Sequence, residues 1–320
     1  MSPEEWSDEI KYISRNNREE IGIVQKVLYQ KKTDGDFLTI YGFFLEHLLE
    51  QKVVYPDYFS FWAKNIVTIC QELVTTYKDN DLIILDSSQS SMGENISKQE
   101  TDGGMLGTTL YNTLKPQELS NKLRWNGTNY IYTIWQGLDR TQSQSVNNPV
   151  ILSTGFKNIK NINHSTDESN YRNYAYVEGM YRLFGEGYDY TQEYTELREI
   201  DQREPGEEKR SIYVNSGIVL DNPAMGGIIF LRESLDQVGK ETLSKYPKIT
   251  NLEFDIDTTR LKYLTDFDLG DKCDIILEEK GLSYESRIIE IYEVYQNNTE
   301  EISLVMGDKI PTQYEKARLK

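Results

Sequence analysis

The sequence predicts an α+β protein that is mainly β, with a mixed helix and strand middle region and a barrel-like β module near its C-terminal end. Runs rich in β-branched residues and bounded by turn residues recur over residues 9–41 and again over residues 254–308. Only residues 61–77 and 228–246 keep apolar side chains at helical intervals over several turns. Much of what lies between is polar, Asn- and Ser-rich and without period.

Residues 9–15 and 20–30 read as two strands about the Asn16-Asn17 turn, with Ile21, Ile23 and Val27 as apolar positions. Asp34-Gly35 is a hairpin signal, and residues 37–41 return as the third strand. Residues 42–54 are apolar at mixed spacing, which suits a helical turn followed by a strand. Trp62, Ile66, Ile69, Leu73 and Tyr77 make residues 61–77 an amphipathic helix. A brief strand follows at residues 82–85, and residues 86–104 read as a loop. Residues 116–123 are expected as a short helix, because Pro116 at a first turn loses no hydrogen bond.

Residues 130–135 alternate as a strand does, and residues 150–152 form another. The polar stretch 158–171 leads into a strand at 174–177. Residues 199–210 contain almost nothing to bury and are expected as a solvated hairpin tip or a mobile loop. Leu231, Leu235, Val238 and Leu243 carry a second helix, closed by Pro247. Beyond it, residues 274–277, the Glu279-Lys280-Gly281 turn, the run through Ile288, Ile289, Ile291 and Val294, the Asn297-Asn298 turn and the alternating Ile302, Leu304 and Met306 make closely spaced strands. That spacing predicts the barrel-like module.

A chain of 320 residues exceeds one ordinary core and suggests roughly two to four compact units. No apolar run is long enough to span a bilayer, and the start of the chain is acidic where a secretory signal would be basic and then apolar. The expectation is a chain with no membrane insertion and no signal of its own, a state that release within a particle would fit. Cys70 and Cys273 are expected as buried free thiols. A net charge of -17 argues against a phosphate-binding surface. It suits solubility, or the wall of a conduit that DNA passes without sticking.

The chemistry-bearing residues do not form a site. His47 and His164 lack metal-ligand partners at defined spacing, neither cysteine sits in a nucleophile signature, and no serine occupies a G-x-S-x-G elbow. The segment from Asp266 through Asp268 to Asp271 is no calcium loop, because the sixth position is Asp271 and the twelfth is Leu277. It reads as a tight turn in which Gly270 takes an unusual backbone angle and the aspartates bond local N–H groups. Glu186 and Asp189, among Tyr181, Tyr188, Tyr190 and Tyr194, are a carboxylate pair of the sort a glycosidase uses, but with 52 acidic residues such pairs arise by chance. Asp139, Arg140 and Thr141 read as strand-end side chains bonding loop backbone. The expectation is no catalytic residue, no cofactor and no metal.

Four blocks carry a resemblance: residues 33–54 (TDGDFLTIYGFFLEHLLEQKVV), 135–141 (WQGLDRT), 148–179 (NPVILSTGFKNIKNINHSTDESNYRNYAYVEG), and DLGDKCDI followed by RIIEIYEVYQNNTEEISLVMGD up to Asp308. In this order they resemble the baseplate hub, or tail-associated (Tal-type), protein family at the tail tip of long-tailed phages, over most of residues 20–311. The resemblance implies a hub-like fold with two barrel-like β modules around the middle region. The division would be a first barrel-type module over residues 1–55, a helix-containing α+β region over 56–157, a middle region with loops and a closing helix over 158–248, a C-terminal β-barrel module over 249–310 and a basic tail over 311–320.

It further implies a non-enzymatic virion component at the tail tip, assembled in the bacterial cytoplasm, a homotrimer whose barrels continue a six-fold tube, with distal tail or tail tube proteins and other baseplate or tip proteins as partners. The alternative class is a tail protein that binds or hydrolyses cell-wall glycan or peptide. The chain ends about ten residues beyond the C-terminal module, where many hub-family chains continue into such a domain, and this favours a hub alone. Before Glu20 several more strands are expected than the short segment supplies. The first module is therefore incomplete, truncated, or completed by another chain.

Overall fold

A computed structural model of the chain describes residues 11–15, 19–55, 59–78, 80–99, 103–184, 191–296 and 299–307. In chain order its elements are β1 (Tyr12–Ser14), β2 (Ile21–Lys32), β3 (Gly35–Phe44), α1 (His47–Glu50), β4 (Val53–Val54), β5 (Ser60–Asn65), α2 (Ile66–Tyr77), β6 (Ile83–Leu85), β7 (Asn95–Gln99), β8 (Gly104–Met105), α3 (Leu106–Leu114), β9 (Ser120–Trp125) and β10 (Tyr130–Trp135). There follow β11 (Asp139–Arg140), β12 (Ile151–Ser153), β13 (Ile159–Asp167), β14 (Tyr174–Phe184), β15 (Thr191–Asp201), β16 (Ser211–Asp221), α4 (Met225–Leu243), β17 (Ile249–Ile256), β18 (Lys272–Leu277), β19 (Leu282–Gln296) and β20 (Thr299–Gly307). The chain is mainly β with a few helices, as expected. It divides into two compact units: Met1–Trp135 with Tyr176–Ile200 and Tyr213–Ser244, and Gln136–Ala175 with Asp201–Ile212 and Lys245–Lys320.

In the first unit the core gathers on α2. This helix begins at Ile66, later than residue 61, because Asn65 caps it by accepting a hydrogen bond from Val67 N at 3.1 Å. Residues 60–65 pair instead with β7, and the register slips between Phe61 and Lys64 with Ala63 at φ 46°. Phe61 points into the core while Trp62 stands out at 55% exposure. The expected loop over residues 86–104 therefore holds a strand, β7. Its polar residues are buried because α4 supplies partners: Lys98 Nζ lies 2.9 Å from Glu241, which also accepts from Gln237, and Ser97 donates to Glu233. The helix expected over residues 116–123 is a single 3-10 turn at Lys115–Gln117 that runs into β9. The true helix, α3, precedes it and buries Leu106, Leu110 and Leu114.

Tyr130, Tyr132 and Ile134 of β10 alternate into this core, with β6 parallel on one side and β9 antiparallel on the other. The sheet β15-β14-β16 accompanies α4. At Gly239 a Cβ would meet Ile200 Cγ1 at 2.3 Å, so only glycine lets the helix lie this close to its neighbours. Arg198 meets Asp236 through two hydrogen bonds of 2.7 and 2.9 Å, which fixes β15 against the same helix. Residues 202–210, between β15 and β16, are mostly exposed, as a hairpin tip should be. The sheet β1-β2-β3 is also in this unit, and its hairpin closes at Lys32 opposite Gly35. The Asn16-Asn17 turn lies outside the described residues.

The second unit is built on one sheet in the order β11-β18-β19-β20-β17-β13, with β12 also pairing with β18. Its core takes alternate residues: Cys273, Ile275 and Leu277 from β18, and Ile302, Leu304 and Met306 from β20. His164 belongs to strand β13, opposite Leu252, and not to a loop. A bulge between Lys160 and Asn163 lets this polar, Asn-rich stretch pair. No closed barrel is found among the described residues of either unit. The three-stranded sheet ends at β1 and β3, and the larger one ends at β11 and β13 with no pairing between its end strands.

The segment from Asp266 to Asp271 behaves as the turn expected of it. Gly270 has φ 83°, Asp266 accepts from Lys262 N, and Asp271 is 2% exposed. Asp271 accepts from Leu138 N at 2.8 Å, Asp268 N at 2.9 Å and Arg140 Nε at 2.6 Å, so one buried carboxylate ties the start of β18 to β11. Both cysteines are buried free thiols, and burial pushes Cys273 up to about 12.

Asp271→Ala leaves Arg140 and two backbone N–H groups without their acceptor, which should lower stability by about 3–5 kcal/mol in chemical denaturation. A loss under about 1 kcal/mol would show that water replaces the carboxylate without cost.

Candidate assembly surfaces

Two exposed sheet faces stand out. The first is on the β2–β3 hairpin. The register pairs Lys26 with Tyr41, Leu28 with Thr39, Gln30 with Phe37 and Lys32 with Gly35, so these residues share one face of the ribbon. Phe37 (45%), Tyr41 (53%) and Phe43 (55%) of β3 stand exposed along it. At its base Ile21 and Ile23 pack on the core of the first unit. Beyond them no apolar contact of the ribbon with that core is seen among the described residues. Lys26 Nζ lies 5.6 Å from the Tyr41 ring centre and Lys32 Nζ 5.1 Å from that of Phe37, so both cations rest over aromatic rings. The opposite face carries Val27, Leu38 and Ile40, half-buried, and the exposed Tyr29, whose hydroxyl donates to Asp36.

The second face belongs to β17, β20 and β19. Leu252, Phe254, Leu304 and Ile288 point into the core, so Glu253, Asp255, Ser303, Val305, Glu301, Glu290, Tyr292 and Val294 share the outer side, with Val305 buried between Glu253 and Glu290. Tyr292 and Val294 are each 51% exposed. The Tyr292 hydroxyl donates to Glu290 at 2.5 Å, and that bond, with burial and the Glu253 charge, pushes the phenol up to about 12. Asp255 accepts from Ser303 and Asn161, which holds its carboxyl below the usual range. Lys160, opposite Asp255, is the cation that the β13 register brings to this side.

The residues that sequence reasoning weighed for chemistry are not brought together. His47 stacks on Phe43 with ring centres 4.3 Å apart, and His164 is in β13 of the other unit. Asp139 accepts from the backbone and hydroxyl of Thr141, which lowers its pKa, and Arg140 serves Asp271. Tyr181 and Tyr194 stack across neighbouring strands at 4.8 Å, while Tyr188, Tyr190, Glu186 and Asp189 lie outside the described residues. So do Lys316, Arg318 and Lys320 of the basic tail. Among the described residues no group of three or more His, Cys, Asp or Glu could hold a metal ion. Among the described residues no helix is long and apolar enough to cross a membrane.

One small cleft gathers Glu19, Glu20 and Glu46 with Lys122 and Arg124. Burial pushes the Glu46 carboxyl up, and Leu123 N, which donates to it at 3.0 Å, opposes that shift. The hydrogen bond from Leu123 N to Glu46 joins β9 to the chain just before α1.

The sequence reading passed over the β2–β3 face, although its signal was present. Leu38 and Ile40 alternate with Phe37, Thr39, Tyr41 and Phe43, so both faces of β3 are largely apolar.

The fold is that of phage tail proteins. It is similar to a tail protein from Neisseria meningitidis MC58 (TM-score 0.51, 13% identity, covering 90% of this chain and 79% of that one). It is also similar to the 43 kDa tail protein of prophage MuSo2 from Shewanella oneidensis (TM-score 0.53, 12% identity, covering 94% and 83%). Residues 18–308 match the family described as siphovirus ReqiPepy6 Gp37-like protein, and the chain belongs to that family. No curated protein matches the sequence.

If the β2–β3 face is open in the free chain, it should bind an apolar dye. Replacing Phe37 and Tyr41 together by Ser should lower the dye fluorescence while stability moves by no more than about 0.5 kcal/mol per site. A large stability loss would show that the rings are buried within the chain.

Proposed function

We propose that this chain is a non-enzymatic structural component of a phage or phage-like tail, a trimeric hub at the tail tip or baseplate. It closes or continues the tail tube and anchors receptor-binding or tip proteins. The observation that carries this reading is the β1-β2-β3 sheet, an unfinished layer whose long hairpin offers apolar side chains to solvent on both faces. A three-stranded sheet needs one covered face to be stable, and neighbouring subunits of a tail would supply the cover. Membership of a siphovirus protein family and a tail-protein fold support the same reading. Copies of this chain, tail tube or distal tail proteins and other baseplate or tip proteins are the partners. The net charge of -17 suits a subunit beside a DNA conduit, because acidic walls let phosphates pass without holding them.

Reconstruction of the assembled tail tip, or native mass spectrometry of purified tails, should find three copies of the chain. Six copies, or one, would sink the hub reading. Zymography on purified cell wall should show no clearing. Clearing that disappears on replacing Glu186 or Asp189 would establish a hydrolase instead.

A further inference from the structure

We propose that the lysine-bearing aromatic face of the β2–β3 hairpin docks on the acidic, tyrosine-bearing outer face of β17, β20 and β19 of a second copy of this chain. The proposal rests on the assembly reading above and names the contact that builds the ring.

The charge distribution selects the occupant. On the hairpin face, residues 26–41 contribute Lys26 and Lys32 and no carboxylate, in a chain whose net charge is -17. Among the described residues neither lysine meets a carboxylate, and each ammonium rests on a ring. The outer face where β17, β20 and β19 pair is the inverse: it carries Glu253, Asp255, Glu290 and Glu301 with Lys160 opposite Asp255, and Lys272 and Arg287 follow only on the neighbouring β18–β19 pair. Among the described residues Glu253 and Glu301 have no cation within ion-pair distance. Two hairpin faces placed together would set lysine on lysine, and two acidic faces would set glutamate on glutamate. Only the crossed pairing brings opposite charges together, and every copy carries one of each surface.

The apolar content and the length also match. Phe37 and Tyr41 on one side and Tyr292 and Val294 on the other are exposed to similar degrees, between 45% and 53%. The hairpin strands run over Lys26–Lys32 and Gly35–Tyr41, and β19 pairs with β20 over Ile288–Gln296, so the two faces run roughly 20–30 Å at about 3.3 Å per residue. Sheet faces of this length pack with side chains interdigitated about 10 Å apart. In the bound state Lys26 and Lys32 slide from their own rings to the partner's carboxylates, and the rings are freed to stack on Tyr292. The contact joins two different surfaces, so each copy gives one and receives the other. Such a contact generates a closed ring or a filament, and a ring leaves neither surface open.

The test uses full-length protein made in light and 15N-labelled form, mixed at high concentration and treated with a zero-length carbodiimide. Mass spectrometry should find mixed-isotope links from Lys26 or Lys32 to Glu253, Glu290 or Glu301. Lys26→Glu with Lys32→Glu should weaken self-association by roughly tenfold or more in sedimentation, and adding Glu253→Lys with Glu301→Lys should restore it. Links from these lysines only to other residues, links of a single isotope only, no link at all, or no rescue by the second pair would each overturn the contact. Three copies in the tail together with any of those results would leave the hub reading standing without this contact. A copy number other than three, with the mixed-isotope links present, would do the reverse.

Discussion

A β-ribbon in water needs cover for at least one face, and the β2–β3 hairpin is longer than the core beneath it. Ile21 and Ile23 at its base pack on the first unit, but Leu28, Phe37 and Tyr41 project beyond that contact and stay exposed. The chain keeps this arrangement although each exposed ring forgoes roughly 1–2 kcal/mol of burial. The missing cover is the physical reason to treat the hairpin as an assembly element. The architecture around it is consistent with that use, because a register fixed by the Lys32 and Gly35 closure and by one bulge at Gln25 holds the aromatic stripe on a single face.

Within each unit, buried polar contacts hold the fold as much as the apolar core does. In the first, Lys98 and Glu241 face each other at 2.9 Å with side chains about a tenth exposed, and Gln237 satisfies one more carboxylate lone pair. A pair like this adds little net stability against an apolar replacement but strongly penalises any packing that separates β7 from α4. In the second, Asp271 does the same for β11 and β18, with three donors converging on one carboxylate. Glu278 extends the pattern: it accepts from Ser153, Thr154 and Gly155 N, which draws its pKa down to about 2. These three carboxylates are acceptors for the chain's own ammonium, guanidinium, amide, hydroxyl and backbone N–H groups.

Much of the fold could be read from local pattern. The Asp34-Gly35 hairpin, the alternation of β10 and β20 and the 3.6-residue period of α4 each depend on neighbours in sequence, and each was predicted. The failures were of another kind. The sequence of β7 reads as a loop because Ser97 and Lys98 are polar, and their burial follows from Glu233 and Glu241 more than a hundred residues away. The predicted start of α2 ignored the Asn65 cap, and Thr and Gly residues masked the Leu106, Leu110 and Leu114 stripe of α3. Close strand spacing suggested the C-terminal barrel and resemblance a second one, but the described strands leave both sheets open because their end strands do not pair. Neither assembly face was predicted, since a register of cross-strand partners is needed to see that Lys26, Lys32, Phe37 and Tyr41 share one side.

The central claim is that this chain exposes the β2–β3 hairpin when free and covers it when built into a tail. Hydrogen–deuterium exchange of the same protein, free and within purified tails, tests it most directly. Amides of residues 26–41 should exchange readily in the free chain and become strongly protected in the tail, while those of α2 and β10 stay protected in both. Equal exchange of residues 26–41 in the two states would contradict the account.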